Sequence, residues 1–420
     1  AGVTINLLIL AFFKYFNFFG ENLTRLFAMF GSGIDWFTLE VILPVGISFY
    51  PFQAVSYLVD VYKHRVEPER DFVRFAVFLS YFPQLVAGPI ERASALLPQI
   101  GSPRRWNYPE IVLGLRQTLW GLVKKVVVAD ACGYYVDEFF YYKHTGGMVA
   151  ATLAVILFSI QIYCDFSGYC DIARGISRCL GIELMQNFRY PYFAKNIREY
   201  WHRWNASLMM WLRDYVYFPL GGSRCRERRV MLNIVLVFLV SGIWHGSAWT
   251  FILWGLFWGI VMVGYRLFKK HTSIDLGAWN WPLTMGFAVL SRAIFRSVSV
   301  TQAVQVMVET IPSIALLVAA WGAWLALPKS CRRRLWYVAA AAVVVFACVD
   351  TAETIQFVMR EYVWIAAAGV FAVEWHWRDC EYPMQRFAAP GWARMAVYML
   401  LVLLLLTNQY DEVPFIYFQF

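Results

Sequence analysis

Charge is what this sequence has least of. Only 15% of its 420 residues are charged, 60% are hydrophobic and 18% are aromatic; ordinary soluble domains are about 25% charged. That excludes one large soluble core and points to a polytopic helical membrane protein. The apolar stretches are long and continuous rather than short and alternating, which argues against a transmembrane barrel. The eight cysteines are scattered, with no CxxC pair and no Cys/His spacing suited to a metal. A disulfide framework or zinc site is therefore not expected, and most cysteines should act as small packing residues. P-loop, GxGxxG and HExxH patterns are absent, and the Ser in Cys164-Asp165-Phe166-Ser167-Gly168-Tyr169-Cys170-Asp171 is not in a nucleophile elbow. In that string Asp165 and Asp171 read as helix-end or interhelical hydrogen-bond partners. There is no signal peptide, no initiator Met, no internal repeat and no low-complexity linker.

What the chain does have is a series of apolar spans, roughly 1–19, 40–60, 148–166, 230–244, 247–268, 282–298, 305–327, 335–349, 360–374 and 394–408. Each can cross or nearly cross about 30 Å of hydrocarbon. Stretches 72–90, 110–130 and 194–220 mix Pro, Gly and charge into apolar sequence; they read as re-entrant or interfacial helices, which need protein or water around them at membrane depth. The net charge is +9, from 37 basic and 28 acidic residues. The basic residues cluster between apolar runs as topology signals do, so nucleic acid is not an expected partner. Arg224, Arg226, Arg228 and Arg229 form one cluster, Lys269 and Lys270 a second, Arg332 to Arg334 a third. Two spans separate successive clusters, so all three fit one side, the cytoplasmic one by the positive-inside rule. Counting onward puts the tail 408–420 on the outer face.

Two polar residues interrupt aromatic segments. His245 lies in Ser241-Gly242-Ile243-Trp244-His245-Gly246, after the apolar run Val230 to Val240. An imidazole titrates near neutral pH and can take a proton from an attacking hydroxyl; the alternative is a structural histidine tying two helices together. Glycines 242 and 246 would allow another backbone or a substrate to approach closely. Asn205 shares its segment with Trp201, Trp204, Leu208 and Trp211 at helical spacing. Its amide could orient a thioester or stabilise an oxyanion, or simply hydrogen-bond two helices. Arg213 and Asp214 follow in a polar aromatic stretch; they could pair inside the fold, or Arg213 could join the arginine run at a mouth that attracts a phosphorylated cofactor. The tail Pro414-Phe415-Ile416-Tyr417-Phe418-Gln419-Phe420 is unusually aromatic for a chain end and should dock back onto the protein or the interface. The Tyr417 phenol could also carry an acyl group.

Taken together, these strings resemble the membrane-bound O-acyltransferase (MBOAT) family. The resemblance runs through Gly46 to Tyr50, Gln53, Ser56-Tyr57, Asp60 to Tyr62, Phe82 to Ile90, Cys164 to Ala173, Trp201 to Gly222, Trp244-His245-Gly246 and Phe415 to Phe420. It is nearest the bacterial polysaccharide branch, which contains the membrane subunit of alginate O-acetyltransferase and peptidoglycan-acetylating and teichoic-acid-alanylating relatives. The resemblance implies an all-α polytopic fold: about ten membrane-spanning helices plus re-entrant or interfacial helices around a funnel open to cytosolic acyl-CoA. The chain would be a single MBOAT-like domain over 1–420 with further helices preceding Ala1, and 408–420 an aromatic tail with a relay-like tyrosine.

The family's hallmark histidine corresponds to His245, and its second active-site position to Asn205. The polysaccharide branch usually has histidine there, whereas many lipid- and protein-acylating members carry asparagine. A two-histidine mechanism is therefore not expected; His245 would be the sole base, with His202 a partial substitute for the missing second histidine. Trp204 and Trp244 would shape a dry tunnel, with Arg213, Asp214 and His202 beside it. The implied activity is transfer of acetyl from acetyl-CoA, a donor substrate rather than a bound cofactor, toward an extracytoplasmic polysaccharide resembling alginate, peptidoglycan or cellulose. Tyr417 would be a relay across a bacterial inner membrane, and membrane lipid and a periplasmic SGNH-type acetyltransferase would be partners. Three alternatives stay open: another acyl-CoA used on a lipid, small molecule or protein; a transporter; and a non-catalytic scaffold.

Overall fold

A computed structural model describes residues 1–33, 36–39, 44–142, 147–328, 363–408 and 415. These residues contain helices and connecting turns and no strand. Among the described residues five helices are long and apolar enough to cross a membrane: α1 (Gly2–Met29), α8 (Gly147–Cys179), α11 (Glu227–His245), α12 (Trp249–His271) and α14 (Val300–Ala326). Two shorter apolar helices, α15 (Val363–His376) and α16 (Gly391–Thr407), follow. Of the ten expected spans, 335–349 lies outside the described residues, and 40–60 and 282–298 correspond to the shorter helices α2 (Tyr50–Tyr62) and α13 (Asn280–Arg296).

The three mixed stretches, expected as re-entrant or interfacial helices, fold as short helices or as helices carrying a π-helical turn. In 72–90 the chain makes α3 (Phe72–Ser80) and α4 (Phe82–Leu85), parted at Tyr81. The second mixed stretch, 110–130, is α6 (Tyr108–Leu122) running into a π-helical turn over Val123–Ala129 and then α7 (Asp130–Asp137). In 194–220, α9 (Ile197–Arg203) and α10 (Ala206–Leu212) are separated at Trp204-Asn205, and a second π-helical turn covers Arg213–Tyr217.

The helix α8 is the central post. Most of its length is buried, including Asp165, and Asp171 towards its C-terminal end is largely buried. Charge at that depth has to be paired, and the π-helical turn beyond α6 supplies two ammonium groups. Lys124 Nζ lies 2.7 Å from Asp171 and 3.7 Å from Glu374 of α15, and donates to Ser167 Oγ at 2.9 Å. Lys125 Nζ lies 2.8 Å from Asp165 and 2.7 Å from Asp130. The two aspartates are thus interhelical partners, as expected. Cys132, Cys164 and Cys170 are fully buried free thiols within this packing.

α11 and α12 form a tight antiparallel pair. A Cβ on Gly242 would come within 2.3 Å of the Phe251 carbonyl, and one on Gly255 within 2.4 Å of the Phe238 carbonyl; only glycine lets these backbones approach so closely. At the other end Glu227 bonds Arg266 at 2.7 Å and approaches Lys270 at 3.4 Å. The first two basic clusters therefore share one end of this pair, and the third lies outside the described residues. Phe415 packs against Phe166 and Tyr169 of α8, with ring centroids 6.3 and 5.3 Å apart, so this tail residue docks onto the protein.

Candidate active site

His245 is the last residue of α11, where helix carbonyls have no partner of their own. Two side chains of α1 supply it. Lys14 Nζ donates to the carbonyls of Trp244 and His245 at 2.8 and 2.9 Å, and the Tyr15 hydroxyl donates to the Ile243 carbonyl. Lys14 also reaches Ser48 Oγ at 3.4 Å, and Trp244 Nε1 donates to the Ser48 carbonyl at 2.8 Å. An ammonium at a helix C-terminus is favourably placed against the helix dipole. The imidazole, 7% exposed, sits in an aromatic box: the rings of Trp244, Trp254 and Phe295 lie 4.7, 4.9 and 5.0 Å away.

Asn205 occupies the break between α9 and α10. Helical spacing of the surrounding tryptophans suggests one continuous helix, but Asn205 has φ +45°, a left-handed conformation that asparagine tolerates better than most residues. Asn187 holds the turn: its carbonyl accepts the Ala206 N–H at 2.9 Å and its Oδ1 the Ser207 N–H at 2.9 Å. The Asn205 backbone carbonyl starts α10 by accepting the Met209 N–H at 3.1 Å. The Asn205 side chain does not cap that helix, although the residue is only 3% exposed. The amide is thus buried on the turn and takes no part in capping α10.

No hydrogen bond joins Asn205 to His245; aromatic contacts connect their elements. Trp201 lies 6.0 Å from Trp254, itself 4.9 Å from His245, and Phe52 lies 4.2 Å from Trp211 and 5.7 Å from Trp244. Trp204, 4% exposed, stacks on Tyr200 and carries the Arg292 guanidinium 4.3 Å above its ring. Trp204 and Trp244 are therefore both buried in the layer that joins the two candidates.

The other expected site residues lie apart. Asp214 is an internal partner, 3.1 Å from Arg92 and 2.8 Å from Arg213, while Arg213 itself is half-exposed. Next to them the Tyr215 hydroxyl donates to Asp60 at 2.6 Å. Arg224, Arg226, Arg228 and Arg229 are exposed, and so is His202, on the far side of the break from the buried Asn205. Tyr417 lies outside the described residues. Two clefts, of about 660 Å³ beside Arg104 and Arg178 and about 620 Å³ beside Val127 and Leu401, are lined by neither Asn205 nor His245.

Lys14 and Arg292 escaped the sequence reading. Lys14 is a lone cation within an apolar run and Arg292 shares its run with Arg296; a cation in such a run is itself the signal of a functional residue in a membrane protein.

The model of the membrane-bound O-acyltransferase family matches residues 69–301, more than half of the chain, and this includes Asn205, His245 and Arg292. The chain belongs to that family. It is 37% identical over 337 residues to the peptidoglycan O-acetyltransferase of Helicobacter pylori, covering 73% of this chain and 63% of that one. It is 39% identical over 300 residues to the probable alginate O-acetylase AlgI of Azotobacter vinelandii, covering 70% and 59%. With the teichoic acid D-alanyltransferase of Bacillus subtilis it shares 27% identity over 241 residues, 54% of this chain and 60% of that protein. The chain thus spans less than two thirds of the length of these relatives.

Proposed function

We propose that this chain is the membrane acyltransferase of a polysaccharide O-acetylation system, taking acetyl from cytosolic acetyl-CoA and passing it toward an extracytoplasmic acceptor. The observation that carries this reading is His245: a buried imidazole at a helix end clamped by Lys14 and Tyr15, boxed by aromatics and within the matched family region. His245 is the general base that takes the proton of the attacking hydroxyl. Asn205 presents its amide to the thioester carbonyl, and the resulting oxyanion is held by an N–H donor in a dry site. The names of the relatives support a sugar-polymer acceptor such as alginate or peptidoglycan. A funnel among about ten helices, an inner-membrane location and a periplasmic SGNH-type acetyltransferase complete the proposal, with Tyr417 as the relay that carries acetyl to the outer face.

The test is incubation of the purified protein with isotopically labelled acetyl-CoA, followed by mass spectrometry of the C-terminal peptide. Label on Tyr417 that vanishes in His245→Ala supports donor, base and relay together. Consumption of acetyl-CoA without label on Tyr417 removes the relay; full activity in His245→Ala removes the base.

The asparagine at 205 favours a second reading, transfer of a longer acyl chain to a lipid, small molecule or protein. Competition between acetyl-CoA and long-chain acyl-CoA separates the two, since only the second enzyme prefers the longer donor.

A further inference from the structure

Four basic side chains are fully buried among the described residues: Lys124, Arg174, Arg292 and Arg296. A buried charge is costly unless another charge or several hydrogen bonds meet it. Three of the four follow that rule. Lys124 has Asp171 and Glu374, Arg174 has Glu381 at 2.9 Å, and Arg296 has the Asp137 carboxylate and the Tyr141 hydroxyl at 3.0 Å.

Arg292 does not. It is 2% exposed, and among the described residues it has no ion pair. Its neighbours are neutral: Nη2 donates to the Tyr200 hydroxyl at 2.9 Å, the Tyr192 phenol faces it, and the Trp204 ring lies beneath its plane at 4.3 Å. Nε has no hydrogen-bond partner. The aromatic faces and the phenol offset part of the cost of burying the cation, but they leave its charge without a counter-charge.

Its position is specific. One face of α13 carries Arg292 and, three residues on, Phe295, whose ring is 5.0 Å from that of His245. The Trp204 ring under the guanidinium belongs to the residue before Asn205. Arg292 therefore lies between the two elements that present the candidate base and the candidate amide.

We propose that Arg292 is a further catalytic residue of this site and holds the thiolate that leaves the acyl donor; this rests on the acyl-transfer reading above. The attacking hydroxyl oxygen forms a bond to the thioester carbon and gives its proton to His245. Negative charge first gathers on the carbonyl oxygen, next to the neutral Asn205 amide. The C–S bond then breaks with its electron pair going to sulfur, and the imidazolium proton passes to that sulfur. Between C–S cleavage and that proton transfer the sulfur is a thiolate, and the guanidinium, which has no counter-charge among the described residues, is the cation placed to hold it.

The test compares acetyl-CoA with S-phenyl thioacetate, whose thiol is the more acidic and leaves with less help, in the wild type, Arg292→Met and Arg292→Lys. Arg292→Met should lower kcat with acetyl-CoA about 10²- to 10³-fold, as loss of one charge-stabilising donor does, with KM little changed. The loss with S-phenyl thioacetate should be at least roughly tenfold smaller, and Arg292→Lys should recover part of the activity with acetyl-CoA. Should Arg292→Met fail to fold, Arg292→Lys carries the test, with an intermediate loss and the same donor bias. Equal losses with both donors, a change in KM alone, or no loss would overturn the assignment while leaving the acyl-transfer reading intact. A wild-type protein that cleaves neither thioester would overturn that reading, and this assignment with it.

Discussion

Lys14 fixes the one helix end on which the proposed chemistry depends, and replacing it with methionine tests that dependence. Methionine keeps the apolar stem and removes the ammonium. Two charge-assisted hydrogen bonds, at 2.8 and 2.9 Å to the Trp244 and His245 carbonyls, are lost. Each is worth about 1.5–3 kcal/mol net. Against this, the substitution removes the cost of holding an ammonium out of water, several kcal/mol, so the net destabilisation should be about 1–3 kcal/mol. It should be concentrated in the last turn of α11, because the Tyr15 bond to Ile243 and the Trp244 bond to Ser48 keep the rest of the helix end docked. At about 1.4 kcal/mol per factor of ten, the population with His245 correctly placed falls about 5- to 150-fold, if that turn is only just stably docked to begin with. The assay is kcat for acetyl transfer alongside amide hydrogen exchange of residues 240–248. Faster exchange confined to those amides and a kcat lowered at least about fivefold are expected, with Lys14→Arg largely restoring both. Normal exchange and normal kcat in Lys14→Met would refute the argument that this ammonium orders the site.

Three further outcomes follow from the geometry. Asn205→Gly keeps the left-handed turn but removes the amide, so thermal stability should hold while transfer falls about 10²-fold; equal activity would show that the turn alone matters. Gly255→Ala places a methyl against the Phe238 carbonyl, so α11 and α12 must separate; a melting temperature in detergent lowered by several degrees is expected, and no change would contradict that packing. Glu91, just outside the helices, accepts the Met185 N–H at 2.6 Å, and burial holds its carboxyl up at about 7 against the attraction of Arg174 and Arg92. The folded protein therefore keeps this proton longer than the unfolded chain does. The stability it contributes is complete below the ordinary carboxylate range and is lost as pH rises toward 7. Melting temperature should fall across that window in the wild type and fall less in Glu91→Gln; identical profiles would count against a buried, protonated Glu91.

Much of this was legible in the residues. The apolar runs announce α1, α8, α11, α12 and α14 because length and hydropathy alone make a spanning helix. Local composition also sets 72–90, 110–130 and 194–220 apart from the plain spans, and two of them, 72–90 and 194–220, fold as short helices parted by turns. The carbonyl groups that Lys14 serves could not be read this way, since its contacts are 230 and 231 residues away in sequence. Asn205 was visible as a polar residue among tryptophans, but its left-handed φ was not, because the surrounding spacing is helical and Asn187 imposes the turn from outside the segment. Arg292 and Arg296 look alike in sequence; only the fold brings Asp137 to one and Tyr200 to the other.

The paired lysines after α6 also constrain how the chain enters a bilayer. A lysine at the centre of a lone inserting helix costs about 2.5–3.5 kcal/mol, and Lys124 and Lys125 stand side by side. Lys125 meets Asp130 within its own segment, but Asp165 and Asp171 are synthesised about forty residues later, on α8, and Glu374 later still. The segment beginning at α6 is thus a poor passenger for the insertion machinery by itself and a good one once α8 emerges. The two should be integrated as a hairpin, with α15 closing over Lys124 only near the end of synthesis. Truncation before α15 should leave Lys124 with Asp171 as its one carboxylate and expose the pair, making that hairpin a preferred substrate for membrane quality control.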